Sequence, residues 1–404
     1  MRVVICGAGM AGLTLGHALK NCAEVVLVER EASAADTGGY RISLNDPACR
    51  ALQRVLPTDL YAELRATSDT GNAFEQFTVA DARLRPMIVA PEPPRQERAL
   101  AQRQALRVLL ARDLAGQIRF SSTVVSVQQS PEGATATLDD GTLLEADLVV
   151  AADGADSAAV ASLLGHSPTV DLGLTGIAGW APLAGKEPPD YLRRGPALAF
   201  SADGTGVFLS LYRPPTTLAD AVPSRALPDH PSLIWGTITP SGRVATARGS
   251  SSQHLTAEAE RLVKGWSPWL SQHVRESDPG RTSAFRFRAA DPAKPIADWV
   301  PNRVTALGDA VHAMPPTGGR GASTAICDAA DLADALQRHF HGESLSSVLT
   351  QYQRSIGPRA RSAIRESLGP VRIIKALSHR PVQLLAHPLL SVAGTVGARR
   401  WRES

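Results

Sequence analysis

Cysteine is scarce in this 404-residue chain. The four present, Cys6, Cys22, Cys49 and Cys327, form no CxxC pair and no metal-ligand spacing. That excludes a disulfide framework and a zinc site, and leads us to expect reduced thiols in a reducing compartment. A charge excess is missing too. Forty-two basic and 39 acidic residues leave a net charge of +3, too small to mark a nucleic-acid surface. The basic "RRWR" at 399–402 reads as a solvated tail end. No uninterrupted apolar run reaches the ~18 residues that a membrane helix needs. The amino terminus has one Arg and then enters a strand, without the apolar region and cleavage site of a signal peptide. The expectation is a cytoplasmic protein with neither nucleic acid nor membrane as partner. No Ser/His/Asp signature and no metal motif stands out.

What is present is a globular composition, 44% hydrophobic and 20% charged, long enough for two domains. Residues 2–6 form a short apolar strand that ends at Gly7. Residues 11–20 have helical spacing at Leu13, Leu15, Ala18 and Leu19, and "VVLV" at 25–28 is a second buried strand. Together they make a βαβ unit with parallel strands. Leu106, Leu109, Leu110 and Leu114 give residues 101–115 a helical stripe. Short strands at 123–129, 134–138 and 142–145 are separated by the turn signals "PEG" and "DDG". This antiparallel meander precedes another buried strand, "DLVVAAD" at 147–153.

Residues 170–290 are rich in Pro and Gly and hold four of the six Trp, with a helical pattern only near 256–274. They read as a second domain with a strand-rich layer. "RVTAL" at 303–307 returns to a buried strand, followed by a glycine-rich loop and a helix from about 322 to 339. Beyond 340 the chain is helix-like, with breaks expected at Pro358, Pro370, Pro381 and Pro388.

Three motifs carry chemistry. Gly7-x-Gly9-x-x-Gly12 follows a strand and opens a helix. The first glycine permits the tight turn, the second lets a pyrophosphate approach, and the third lets helix and strand pack closely. The helix start at Met10 and Ala11 then faces the phosphates. Glu29 ends the second strand, placed to accept hydrogen bonds from a ribose. From this motif alone, a visiting nicotinamide nucleotide and a resident FAD both remain open. Asp153-Gly154 and Gly308-Asp309 each close a buried strand, where open α/β sheets bind ligands. The loop "MPPTGGRG", stiffened by Pro315 and Pro316, delivers backbone N–H groups to a second helix start, which favours an anion.

In this order the motifs resemble those of the single-component FAD-dependent aromatic hydroxylases, the para-hydroxybenzoate hydroxylase-like flavoprotein monooxygenases. The resemblance also takes in "GGYRI" at 38–42, "QRQALRVLL" at 102–110, "ADLVVAADGADS" at 146–157 and "GDAVHAMPPTGGRGAST" at 308–324. It implies an α/β fold: a Rossmann-like FAD-binding domain with an inserted β-meander, a mixed α+β substrate domain with a β-sheet layer, and a C-terminal helical segment. The boundaries expected are 1–72, 96–166 and 286–340 for the first, 73–95 and 167–285 for the second, and 341–404 for the third.

The resemblance also implies roles. FAD is the cofactor and NADPH or NADH the co-substrate. Glu29 would hold the adenosine ribose, Arg41 would lie beside the flavin or its phosphates, and Arg103 would contact the ribityl or pyrophosphate part. Asp153 would lie near the pyrophosphate, Asp309 would bind the ribityl chain, and Pro315 would border the ring. Gly319, Gly321 and Ala322 would offer backbone at the flavin edge. Met10, Ala11, Arg30, Val125, Gly154, Gly308, Pro316 and Ser323 complete the expected cofactor contacts.

Reduced FAD would form a C4a-hydroperoxyflavin with O₂ and hydroxylate or epoxidise an aromatic or polycyclic small molecule. His312 is a candidate proton carrier. The Tyr212–Arg213 pair suits a phenolic or carbonyl ligand, with Trp180, Phe200, Phe208 and Trp235 as further candidate wall residues. The assembly expected is a monomer or homodimer.

Two departures stand out. No Arg follows Ser157, where the family carries one near its nicotinamide site, and Ser323 stands where Asn is common. The first motivates an alternative: an FAD-dependent oxidase or dehydrogenase, or a non-redox flavoprotein, that uses NAD(P)H poorly.

Overall fold

The computed structural model describes residues 1–69, 75–91, 97–183, 185, 187–214, 230–245 and 250–379. Five parallel strands form the central sheet, in the order Val304–Ala306, Leu148–Ala151, Arg2–Cys6, Glu24–Val28, Ile118–Arg119. Their near-continuous apolar sequences follow from burial: Val3, Val4, Ile5, Leu148, Val149 and Val150 are all fully buried. The helix Met10–Leu19 packs against the helix Gly321–Phe340. The meander forms as expected, from Val124–Gln129, Ala134–Leu138 and Leu143–Ala146.

The second sheet has seven strands in the order Ser283–Ala289, Val170–Pro182, Ser232–Pro240, Gly206–Tyr212, Ala197–Phe200, Gln76–Asp81, Pro86–Pro91. Only Ala197–Phe200 and Gln76–Asp81 pair in parallel. The strand Ser283–Ala289 pairs with Val170–Pro182, so the boundary expected at residue 286 falls inside a strand of this sheet. Alternation gives the sheet two unlike faces. Ile177, Leu209, Leu233 and Trp235 share one cluster with Leu255, Ala259, Leu262, Leu270 and Val274 of the helices Ser252–Leu262 and Pro268–Arg275. The opposite face carries Trp180, Ile234 and Tyr212 at one end, and Leu174, Leu198, Phe200 and Ile238 at the other.

One helix, Leu345–Leu377, joins the two sheets' cores. Val348, Tyr352, Ile356 and Ile364 belong to the core around the parallel sheet. Val371, Ile374 and Leu377 pack on Leu174, Phe200 and Phe287 of the other. It runs through Pro358 and Pro370, against the breaks expected there. Each proline removes the donor to the carbonyl four residues back, at Arg354 and Glu366. Both of those residues are exposed, where water can take the freed acceptor, while the opposite side of the helix stays buried. The breaks expected at Pro381 and Pro388 lie outside the described residues.

Candidate functional site: a nucleotide cleft and the sheet face beside it

The glycine turn has the geometry its three glycines require. Gly7 has φ +110°, and a Cβ there would sit 2.4 Å from the Ala152 carbonyl oxygen. A Cβ on Gly12 would lie 2.0 Å from the Gly7 oxygen. A Cβ on Gly9 would meet nothing within 4 Å, so Gly9 borders open space. Gly9 is the cap residue of the helix Met10–Leu19 and no side chain caps that helix, which leaves the first N–H groups available to an anion.

These groups wall a cleft of about 200 Å³. Of the expected cofactor residues, Gly7, Gly9, Met10, Glu29, Arg30, Arg103, Asp153 and Gly154 line it. Buried Glu29 accepts from Ala8 N at 2.9 Å and from Glu31 N at 3.0 Å. Arg103 donates to Gly38 O at 2.9 Å. Asp153 accepts from Ala159 N at 3.2 Å through Oδ2, while its buried Oδ1 has no partner among the described residues. Burial raises the Asp153 carboxyl above its ordinary value. An orphaned acceptor, a bare glycine and an uncapped helix start fit a dinucleotide that brings hydroxyls and phosphates.

Seven other expected contacts, Gly308, Asp309, Pro316, Gly319, Gly321, Ala322 and Ser323, lie on the loop and helix start after the strand Val304–Ala306. Gly308 has φ +62°, and a Cβ there would lie 2.9 Å from Ala325 Cβ and 3.5 Å from Ala11 Cβ. The two glycine-started helices therefore meet at Gly308. A Cβ on Gly321 would sit 3.6 Å from Asp309 Oδ1, and Asp309 and Arg103 lie close enough to act on each other's charge. Pro315 is buried, and Pro316 and Gly319 are exposed. The 20-residue helix Gly321–Phe340 has no side-chain cap, so the first turn at Gly321 and Ala322 is open at its N-terminus. Ser323 is turned into the protein: it donates to Ser43 O at 2.9 Å and accepts from Asn45 N at 3.0 Å. That ties the helix to the ribbon of Arg41–Leu44 and Ala99–Gln102.

Several expected roles are redistributed. Val124 lines the cleft, whereas Val125 is 45% exposed on the other side of its strand. Strand alternation separates the two. His312 is fully buried and bonded through Nε2 to Asp328 Oδ2. Asp328 also accepts from Gly308 N at 3.1 Å and from Arg359 Nη2 at 2.7 Å. Arg359 reaches Asp331 at 2.7 Å as well. Burial works against charge on His312, but the Asp328 carboxylate and its hydrogen bond prevail and raise its pKa. Burial also opposes charge on Asp328, and His312 and Arg359 hold it below its ordinary value. His312 is therefore part of a sealed brace under Gly308 and has no face on the cleft.

Arg41 is nearly buried, beside the second sheet. It pairs with Asp69 at 3.1 Å, donates to Leu211 O, and its Cζ lies 5.7 Å from the centre of the Tyr212 ring. Burial lowers its pKa. Tyr212 packs edge-on against Trp180 at 4.8 Å. Its hydroxyl has no partner among the described residues, and burial pushes its pKa up to about 12. Arg213 is exposed and lies just past the end of the strand Gly206–Tyr212. The arginine that accompanies Tyr212 is thus Arg41. Trp235 is fully buried on the far face, bonded to Ser277 Oγ at 2.7 Å, and is core. Phe200 packs against the long helix, and Phe208 shares the face of Tyr212 by register.

Sequence reading missed Arg107. Its Nη2 pairs with Glu29 Oε2 at 2.8 Å, with both side chains under 10% exposed. The signal was present: Arg107 follows Arg103 by four residues, which puts both on one helical face.

No cluster of three or more potential metal ligands occurs among the described residues, and no helix there is long and apolar enough to cross a membrane. Comparison with known proteins agrees with this geometry. The chain is 28% identical to the FAD-dependent monooxygenase adaC of Aspergillus niger, over 90% of this chain and 91% of that protein. It is 26% identical to 3-amino-4-hydroxybenzoate 2-monooxygenase of Streptomyces platensis, over 91% and 86% of the two. Klebsiella pneumoniae HpxO, solved with FAD and uric acid, superposes with a TM-score of 0.74 at 19% identity, covering 98% of this chain and 93% of that one. The family model described as an FAD binding domain matches residues 1–195 and 248–367. The chain belongs to that FAD binding domain family and is an FAD-dependent monooxygenase of the para-hydroxybenzoate hydroxylase-like, aromatic-hydroxylase type.

Proposed function

We propose that this monooxygenase takes electrons from NADH or NADPH and puts one atom of O₂ on an aromatic or polycyclic small molecule. The product would be hydroxylated or epoxidised. The observation that carries the reading is the unlike faces of the seven-stranded sheet. One is sealed by helices, and the other turns Trp180 and Tyr212 toward Tyr40 and the ribbon that Ser323 ties to the helix after the glycine loop. A planar substrate would lie between that face and a flavin on the loop. The names of the relatives, one for 3-amino-4-hydroxybenzoate and one solved with uric acid, support a small ring compound.

When bound, FAD would supply hydride acceptance and activation of O₂. The protein's share is positioning and charge. Glu29 would accept from the ribose, and the amides at Gly9, Met10 and Ala11 would face the pyrophosphate. Asp309 would hold the ribityl chain and Pro315 would border the ring. The open N-terminus at Gly321 and Ala322 would favour negative charge beside it. The Tyr212 hydroxyl would hold a proton at a substrate oxygen, with Arg41 fixed behind its ring.

The test is direct. Purified protein should be yellow, and a matching aromatic compound should accelerate NAD(P)H oxidation and gain one oxygen. Absence of any oxygen-gaining product with either reductant would sink the reading. The helix Ala158–Leu164 has no basic residue, which favours the alternative of an enzyme reduced by its own substrate. Flavin bleaching by substrate alone, in anaerobic stopped flow, would select that alternative.

A further inference from the structure

We infer that Arg107 presets the cleft for the nucleotide, holding the ribose acceptor and the phosphate-facing turn in one arrangement before FAD arrives. The inference rests on the proposed placement of the adenosine half at Glu29 and Gly9.

Arg107 lies on the helix Arg103–Arg112, lines the cleft, and is 4% exposed. Its three nitrogens reach three separate chain segments. Nη2 pairs with Glu29 Oε2 at 2.8 Å, Nε donates to Ala8 O at 2.9 Å, and Nη1 donates to Asp36 O at 3.3 Å. Ala8 N donates to the same Glu29 oxygen at 2.9 Å. Arg107, Ala8 and Glu29 therefore close a ring around one carboxylate oxygen.

The ring also fixes the turn. In a trans peptide the carbonyl and the next N–H point in opposite directions. By binding Ala8 O, Arg107 turns the Gly9 N–H away from itself, at the residue whose Cβ position meets only open space. One guanidinium thus orients both the acid expected to meet the ribose and the amide expected to meet the phosphates. Lysine cannot substitute, since a single ammonium lacks the planar fork that reaches three acceptors.

Arg107 is a positioning residue, and binding measurements on the full chain test it. FAD affinity is read from flavin fluorescence, and ADP affinity from displacement of FAD. Arg107→Lys should weaken FAD and ADP alike by about tenfold, the size of losing one hydrogen bond to a charged group. Arg107→Met should weaken both further. Because that variant strands Glu29, the double variant Arg107→Met/Glu29→Gln removes both charges and keeps the measurement possible if the single one does not fold. Its loss of affinity should be smaller than the product of the two single losses, whereas Arg107→Lys combined with Asp309→Asn should multiply.

Full FAD and ADP affinity in Arg107→Lys, or multiplicative losses in the Glu29 pairing, overturns the inference. If Glu29→Gln alone leaves FAD and ADP affinity unchanged, the placement of the adenosine half fails instead.

Discussion

Two buried carboxylates in this protein each meet an arginine, and they do opposite things. Glu29 with Arg107 stands on the wall of an open cleft. Asp328 with His312 is sealed in the core, and Arg359 reaches it from a half-buried position. The chemistry of the pairs is nearly the same, so residue type does not distinguish a site from a brace. What differs is the remaining capacity. Asp328 has both oxygens occupied by Gly308 N, His312 and Arg359, and none of these residues lines the nucleotide cleft. Glu29 is likewise held, but on a wall shared with an orphaned Asp153 oxygen and a bare glycine. A carboxylate whose oxygens are all taken by protein holds a fold in place, and an unsatisfied one on a cleft wall indicates a ligand.

The sealed side should break hardest. Asp328→Ala leaves His312 buried without its acid, takes from half-buried Arg359 one of its two carboxylates, and should cost about 3–5 kcal/mol of stability in urea unfolding. A loss under ~1 kcal/mol would show the brace to be unimportant. The glycines sharpen the contrast within the cleft itself. Gly12→Ala drives a Cβ into the Gly7 carbonyl and should lower stability by about 1–3 kcal/mol. Gly9→Ala meets no protein atom, so it should fold like the parent while binding FAD more weakly.

The brace also has a pH signature. The folded-state pKa of His312 is raised, so its contribution is complete below the unfolded value of about 6.5 and is lost as pH rises through the folded one. The folded-state pKa of Asp328 is lowered, so its share is present above about 3.9 and is lost as pH falls through its folded value. Melting temperatures should therefore decline at alkaline pH in the parent, and that decline should shrink in His312→Asn. An identical decline in both would remove the argument. The smallest effect is expected from Tyr212→Phe. The hydroxyl has no partner among the described residues, so stability should stay within ~0.5 kcal/mol of the parent, while turnover of an aromatic substrate changes if Tyr212 faces it.

Much of the fold was legible locally. The βαβ unit, the meander and the strand Val304–Ala306 lie where periodicity and turn residues put them, because each is set by neighbours a few positions away. The long helix was not. Its two prolines are local stop signals, and only packing against two separate cores keeps it running through them. The site divides in the same way. Glycine spacing and strand-ending acids can be read from the chain, since the phosphate turn is a local object. Val124 against Val125 and Trp235 against Trp180 depend on which face of a strand meets protein. Spacing shows that the faces differ, but it does not say which one is covered.

The sequence by itself put the expected dinucleotide site at Gly7, Gly9, Gly12 and Glu29, and the motif order carried the family. Only the tertiary structure decided which charged groups line that cleft. It took His312 out of the cleft and into a brace with Asp328. It gave Tyr212 the distant Arg41 in place of its neighbour Arg213. It brought Arg107 to Glu29 across 78 positions of chain. Ion pairs and orphaned atoms are set by three-dimensional neighbours and burial, and both come from how the sheets and helices pack.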